Sequence, residues 1–252
     1  MKNKLSSIDL KKYSRQIVLK DVGIKGQEKI KKSKVIIIGL GGLGSPIADL
    51  LTRAGVGLIG LVDKDKVDIS NIHRQTLYET SNIGLSKVIT AKKKLNAINK
   101  NVKIKTYNLR AKEDNLKKIL KDYDIIVDGS DNFETKFLLN KYSLKFKKKL
   151  VVGAISKFDG HLFVFNFNSK IKSCLKCFYQ SEPSDEILNC ESEGILGTTA
   201  SIMGSLQANE IIKLILGNEN NLDSKILIVD LLNVKFRKVL FKKKRDCFCK
   251  KY

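Results

Sequence analysis

No apolar run in this chain of 252 residues approaches the roughly 20 residues a bilayer-crossing helix needs, so a membrane-spanning protein is not expected. Residues 1–7 hold lysines and serines rather than the apolar stretch of a secretory signal, and the expected location is cytoplasmic. Proline occurs only twice, and neither a proline- or glycine-rich linker nor an internal repeat is present; one domain over 1–252 is therefore expected. Histidine is as scarce, with only His73 and His161, so a metal site must draw on other donors. Acidic side chains are outnumbered 26 to 48 by basic ones, a formal charge of +22. The excess is almost all lysine, spread over helix faces such as Lys92-Lys93-Lys94 and Lys147-Lys148-Lys149, without an arginine-rich, aromatic-interleaved patch. Specific nucleic-acid binding is therefore not expected, and these lysines read as solvated faces whose field steers an acidic partner protein.

Against these absences stands Val35-Ile36-Ile37-Ile38-Gly39-Leu40-Gly41-Gly42-Leu43-Gly44-Ser45-Pro46, an apolar strand that breaks into glycines and enters an apolar helix. This is the pattern of a nucleotide-phosphate cradle. Gly39 permits the tight turn, Gly41 lets backbone approach a phosphate, and Gly44 lets helix and strand pack closely. Backbone N–H groups and the positive end of the helix dipole then face the anion. A second strand over 58–63 ends in Asp63, about where a carboxylate grips a ribose hydroxyl. Up to this point dinucleotide redox chemistry and ATP or another nucleotide both remain open.

Alternation of elements sets the fold class. A helical lead-in over 8–32 precedes a nucleotide-binding half over 33–155, with a helix at 86–98, a strand at 102–107, a short helix near 115–120, a strand at 124–127, a helix at 134–146 and a strand at 150–154. Strands alternating with helices predict a Rossmann-like, doubly wound α/β fold with a mostly parallel sheet. Then the rhythm changes. An antiparallel strand over 161–167, a long irregular segment over 168–195, a helix over 196–216 capped by Gly217 and a hairpin of 225–229 with 234–241 predict an antiparallel extension of that sheet.

Polar residues cluster at the carboxyl ends of the predicted strands: Asp63 and Asp65, then Asp68-Ile69-Ser70-Asn71-Ile72-His73-Arg74-Gln75, then Gly84-Leu85-Ser86-Lys87, and finally Asp128-Gly129-Ser130-Asp131-Asn132. Two cations and several carboxylates beside a phosphate cradle suit a triphosphate with Mg2+ better than hydride transfer by an NAD-dependent oxidoreductase. Arg74 and Lys87 would neutralise charge on transferring phosphoryl oxygens, and Asp131 would offer Mg2+ a hard oxygen. Taken singly, Arg74 and Lys87 read as surface charges; their joint appearance in this frame favours a site.

The chain resembles the ubiquitin-activating-enzyme-like adenylyltransferases of sulfur-carrier pathways, the ThiF, MoeB and HesA family, and is closest to ThiF. The anchors are Tyr13-Ser14-Arg15-Gln16-Ile17, the glycine run from Gly39 through Gly42 to Gly44, Ser70-Asn71-Ile72-His73-Arg74-Gln75-Thr76, Ser130-Asp131-Asn132 and Met203-Gly204-Ser205-Leu206-Gln207-Ala208. The resemblance implies that Gly41, Asp63, Asn71, Arg74, Lys87, Asp131 and Asn132 bind ATP, with Gly42 and Asp65 beside them and Asp131 near the metal. It implies a homodimer in which Arg15 reaches the partner subunit's triphosphate. The implied reaction is attack by the C-terminal Gly-Gly carboxylate of a ubiquitin-like sulfur carrier on the α-phosphorus of ATP. The carrier is ThiS-like, of thiamine biosynthesis, or in the MoeB-type alternative the molybdopterin-synthase small subunit. Residues 156–252 become the carrier-binding and zinc half. A separate sulfur donor such as a cysteine desulfurase is implied, because no rhodanese-like extension follows Cys249. His73 stands where relatives often carry glutamine and is read as a neutral polar replacement.

Five cysteines complete the picture. Cys174-Leu175-Lys176-Cys177 and Cys247-Phe248-Cys249 supply four thiolates, the natural tetrahedral set for a structural Zn2+, with free thiols as the alternative. The second pair departs from the Cys-x-x-Cys that relatives carry. Cys190, in the irregular segment, corresponds to a crossover-loop cysteine that the thiamine branch uses in covalent sulfur chemistry; otherwise it is a dispensable loop thiol.

Overall fold

The strand β1 (Lys34–Ile38) reads Lys-Val-Ile-Ile-Ile, and every residue after the lysine is buried. A β-branched run without polar alternation suits the middle of a parallel sheet covered on both faces. Accordingly β1 lies between β2 (Leu58–Val62) and β4 (Ile125–Asp128), parallel to both. A computed structural model of the chain describes residues 4–169, 173–179, 194–218 and 222–252. The sheet has eight strands in the order β3-β2-β1-β4-β5-β6-β7-β8, where β3 is Lys103–Tyr107, β5 Lys149–Ser156, β6 Asp159–Asn166, β7 Lys225–Asp230 and β8 Lys235–Leu240. The five strands from β3 to β5 pair in parallel, and β6, β7 and β8 add antiparallel neighbours, as the change of rhythm predicts.

Strand alternation divides β1 between two cores. Val35 and Ile37 join Ile47 and Leu51 of α4 (Gly44–Ala54), Val88 and Leu95 of α5 (Lys87–Ile98), and Ile211 and Leu214 of a long helix over Gly197–Leu216. On the opposite face Ile36 and Ile38 join Leu116 of Glu113–Ile119, Phe137 and Leu144 of α7 (Phe133–Lys145), and Phe163 of β6. Each fully buried aliphatic side chain contributes on the order of 1.5–3 kcal/mol, so the four buried residues of β1 anchor it firmly between the two cores. The order reverses direction between β1 and β4. In open α/β sheets a ligand crevice forms at that switch point, outside the carboxyl ends of the two strands.

The lead-in is helical as expected and consists of three helices, α1 (Ser7–Lys12), α2 (Ser14–Ile17) and α3 (Gly23–Lys32). The helix α6 is Glu113–Ile119, α8 is Leu175–Phe178 and the long helix is α9; α8 adds a helical turn where only irregular chain is expected. The strand β6 begins two residues before the predicted start, because β5 runs on to Ser156 and only residues 157 and 158 separate the pair. Gly217 ends α9 in the left-handed conformation at φ 87°, as expected of it. Among the described residues no helix is long and apolar enough to cross a membrane.

Candidate functional site: a crevice at the switch point and a cysteine cluster

A crevice of about 680 Å³, within the range of small-ligand pockets, opens at the ends of β1 and β4. The glycines behind β1 divide the expected tasks. Gly39 turns the chain at φ +88°, and a methyl group there would lie 2.7 Å from the Gly129 carbonyl oxygen, so the loops after β1 and β4 pack backbone to backbone. At Gly44 an added carbon would collide with the Gly39 carbonyl oxygen, so α4 starts against the loop it leaves. Gly41 faces the opening, where an added carbon meets nothing nearer than Gln75 Nε2 at 3.7 Å. Gly41 and Gly42 line the crevice.

At the end of β2 the Asp63 carboxylate accepts the Leu40 N–H at 2.8 Å and the Asp65 N–H at 2.8 Å, which ties this acid to the glycine loop. Burial pushes its pKa up, against those two N–H groups and Lys87. The chain after β2 pairs with the entry to α5 through a bridge between Lys66 and Ser86. That pairing places Lys87, which is buried, with its ammonium 3.4 Å from Asp65 Oδ2. The turn from Asp68 to Gln75 carries Asn71 and Arg74 on the next wall. Arg74 Nη1 donates to Ser70 O at 2.6 Å and meets His73 Nε2 at 3.0 Å. Because arginine only donates, His73 Nε2 is the acceptor of this contact.

The turn after β4 forms the remaining wall. Asn132 caps α7, its Oδ1 accepting the Thr135 N–H at 2.9 Å, and its amide donates to Asp131 Oδ1 at 3.3 Å. Asp131 is exposed to the crevice, so its remaining lone pairs face outward, a donor suited to a hard divalent cation. Asp63, Asp65, Asn71, Arg74, Lys87, Asp131 and Asn132 thus converge on one opening. Arg15 does not; it lies exposed on α2, outside the crevice of its own chain. Cys190 lies outside the described residues.

Among the crevice residues that the reading from sequence gives no role, Gln75 and Lys136 are polar and buried. Gln75 is 3% exposed, and its Oε1 has no hydrogen-bond partner among the described residues. Lys136 is 1% exposed and pairs with Asp128 at 2.8 Å. In the sequence it is one of three lysines of α7, four positions after the cap and near the apolar Phe133, Phe137 and Leu139.

Away from the crevice, the Sγ atoms of Cys174, Cys177, Cys247 and Cys249 all lie within 4.8 Å of one another, and all four residues are buried. Neighbouring pairs stand at 4.0, 3.5 and 3.6 Å. Tetrahedral ligation with Zn–S bonds of ~2.3 Å requires sulfurs ~3.8 Å apart, so the set fits that cation. The shorter Cys-x-Cys spacing of the second pair does not exclude either sulfur. Pairing with Cys177 and burial push the Cys174 thiol up, burial pushes Cys249 up to about 12, and the same pairing lowers Cys177 to about 4, so a bound cation is what would favour the thiolates of Cys174 and Cys249.

The profile of the ThiF family matches residues 13–251. The sulfur carrier protein adenylyltransferase of Thermus thermophilus is 38% identical over 95% of this chain and 90% of its own length. The adenylyltransferase and sulfurtransferase MOCS3 of Aedes aegypti is 40% identical over 97% of this chain but 56% of its own length, so the chain spans about half of such relatives. Among solved structures PaaA superposes with a TM-score of 0.81 at 26% identity, covering 96% of this chain and 76% of that one. Escherichia coli MccB superposes at 0.84 with 21% identity over 97% of this chain and 74% of that one, a likeness of fold. With nearly its whole length matched and its polar anchors gathered at the switch point, the chain belongs to the ThiF family.

Proposed function

We propose that the protein adenylylates the C-terminal Gly-Gly carboxylate of a ubiquitin-like sulfur carrier, using ATP and Mg2+. The observation that carries this reading is the convergence of a glycine phosphate cradle, Arg74, Lys87 and Asp131 on one switch-point crevice. The name of the Thermus thermophilus relative, spanned over 90% of its length, supports the substrate. In the reaction a carrier carboxylate oxygen forms a bond to the α-phosphorus, the bond from that phosphorus to the bridging oxygen breaks, and pyrophosphate leaves. The carboxylate is already ionised near neutral pH, so no general base is required.

The protein therefore positions groups and stabilises charge. Backbone N–H groups at Gly41 and Gly42 face phosphate oxygens, Asp63 holds the ribose, and Asn71, Arg74 and Lys87 hold the triphosphate. Asp131 and Asn132 flank the place of the metal, where Mg2+ supplies charge neutralisation for phosphate oxygens. Arg15 completes the triphosphate site of the partner subunit in a homodimer. Cys174, Cys177, Cys247 and Cys249 hold a structural Zn2+ that ties the chain's last turn to α8. Residues 156–252 receive the carrier, towards which the +22 charge steers an acidic partner. A sulfur donor of the cysteine-desulfurase type then acts on the acyl-adenylate, with Cys190 as the thiol available for a covalent step. The Tyr13-Ser14-Arg15-Gln16-Ile17 opening supports a ThiS-like carrier of thiamine biosynthesis as the natural substrate.

ATP–pyrophosphate exchange tests the reading. Exchange is expected only when a Gly-Gly-ended carrier is present, and faster with a ThiS-like carrier than with a molybdopterin-synthase small subunit. Exchange that ignores removal of the carrier's terminal Gly-Gly overturns it.

A further inference from the structure

The Lys136 ammonium is enclosed by three acceptors from three different pieces of chain: Asp128 Oδ2 at the end of β4 at 2.8 Å, Ser130 O in the turn at 2.8 Å, and Gly153 O on β5 at 2.7 Å. Its three N–H donors are therefore all engaged. Asp128 is fully buried, and its Oδ1 accepts the Ser130 N–H at 3.0 Å. Ser130 is thus gripped on its N–H by Asp128 and on its carbonyl by Lys136, while Asn132 is fixed as the cap of α7. Asp131 sits between these two fixed residues, its Oδ1 accepting the Asn132 amide at 3.3 Å.

We propose that Lys136 is a positioning residue for the nucleotide site: it locks the turn that presents Asp131, and so sets how strongly magnesium strengthens nucleotide binding. The inference rests on the adenylylation reading for its ligand, MgATP. A buried lysine that served stability alone would lower the melting point and leave the magnesium effect untouched. A lysine that aims a metal-binding carboxylate changes that effect, since partners behind a metal ligand typically govern ~10–100-fold in metal affinity.

The test is titration calorimetry of the full chain with ATP, with and without Mg2+, on the wild type, Lys136→Arg, Lys136→Met and the double variant Asp128→Asn with Lys136→Met. Hydrogen exchange of the peptide spanning 129–133 is followed alongside. In Lys136→Met the gain in ATP affinity on adding Mg2+ should shrink at least ~10-fold, with faster exchange in that peptide, while affinity without Mg2+ stays within about twofold. Lys136→Arg should recover most of the gain. Should Lys136→Met fail to fold around its unpaired carboxylate, the double variant, which carries no lone buried charge, decides. A wild-type magnesium gain in the double variant overturns the proposal, as does equal loss with and without Mg2+. Absence of carrier-dependent exchange in the wild type is a separate result, which sinks the proposed function and leaves this positioning role standing.

Discussion

Gly39 and Gly41, two positions apart, separate folding from binding. At Gly39 the backbone is at φ +88° and an alanine methyl would stand 2.7 Å from the Gly129 carbonyl oxygen. The left-handed conformation costs an L-residue ~1–2 kcal/mol, and pushing two backbones apart adds ~1–3 kcal/mol. Gly39→Ala should therefore destabilise by ~2–5 kcal/mol, a fall in Tm of roughly 5–15 °C for a chain of this size. Gly41→Ala meets only Gln75 Nε2 at 3.7 Å, at a φ an L-residue tolerates, and should leave stability within ~0.5 kcal/mol. Its methyl group stands in the opening, where it keeps a phosphate from the backbone N–H. Losing one charge-assisted hydrogen bond costs ~1.5–3 kcal/mol, or roughly 10–100-fold in affinity. Differential scanning calorimetry gives the stabilities and titration with MgATP the affinities. Wild-type affinity in Gly41→Ala, at wild-type stability, would show that phosphate does not approach this loop.

Other perturbations read other parts of the molecule. Arg15→Ala and Lys87→Ala should each abolish exchange, and a one-to-one mixture reassociated from monomers should regain about a quarter of wild-type activity, because half the dimers carry one intact site; no recovery would place Arg15 in its own subunit's site or in none. Protein purified without chelator should hold one zinc per chain by elemental analysis, and Cys249→Ala should lose the metal and lower Tm by ~10 °C; a metal-free wild type of unchanged stability contradicts the cluster's assignment. Asp9, which is 2% exposed, is held at about 2: burial raises its pKa, but the Lys31 ammonium and the Ser6 N–H and hydroxyl together outweigh that. A folded-state pKa below the unfolded 3.8 contributes stability above that value and loses it as pH falls towards 2, so Asp9→Asn should cost ~1–2 kcal/mol at pH 7 and little near pH 2 in urea denaturation. An equal cost at both pH values would refute the pairing with Lys31.

Much of this architecture was legible because its signals are local. The run Val35-Ile36-Ile37-Ile38 marks a strand buried on both faces, and the glycines that follow mark the turn, so both the parallel sheet and the cradle could be read from a dozen residues. Asp63 and Asp131 follow strand ends, which a switch point gathers whatever the spacing in sequence, while Asn71, Arg74 and Lys87 lie on the chain between β2 and α5 that borders the same crevice. Lys136 was not legible in the same way. Its acceptors lie 8, 6 and 17 positions away on separate elements, and nothing in α7 alone separates a buried lysine from the many solvated ones. The cysteine pairs lie about 70 positions apart, yet four soft donors in a chain with two histidines identify one another without the intervening fold. The helical character of the lead-in over 8–32 is legible, whereas its division at Tyr13 involves a distant partner, with Tyr13 Oη accepting from Asn99 at 2.8 Å.

The most direct measurement is the mass of the carrier itself. Incubated with the protein, Mg2+ and ATP labelled in the α-phosphate, a Gly-Gly-ended ubiquitin-like carrier should gain one labelled adenylyl unit, removable by hydroxylamine, while a carrier shortened by its last two glycines gains nothing. A full-length carrier whose mass never changes, in the presence of protein shown to bind MgATP, would contradict the account.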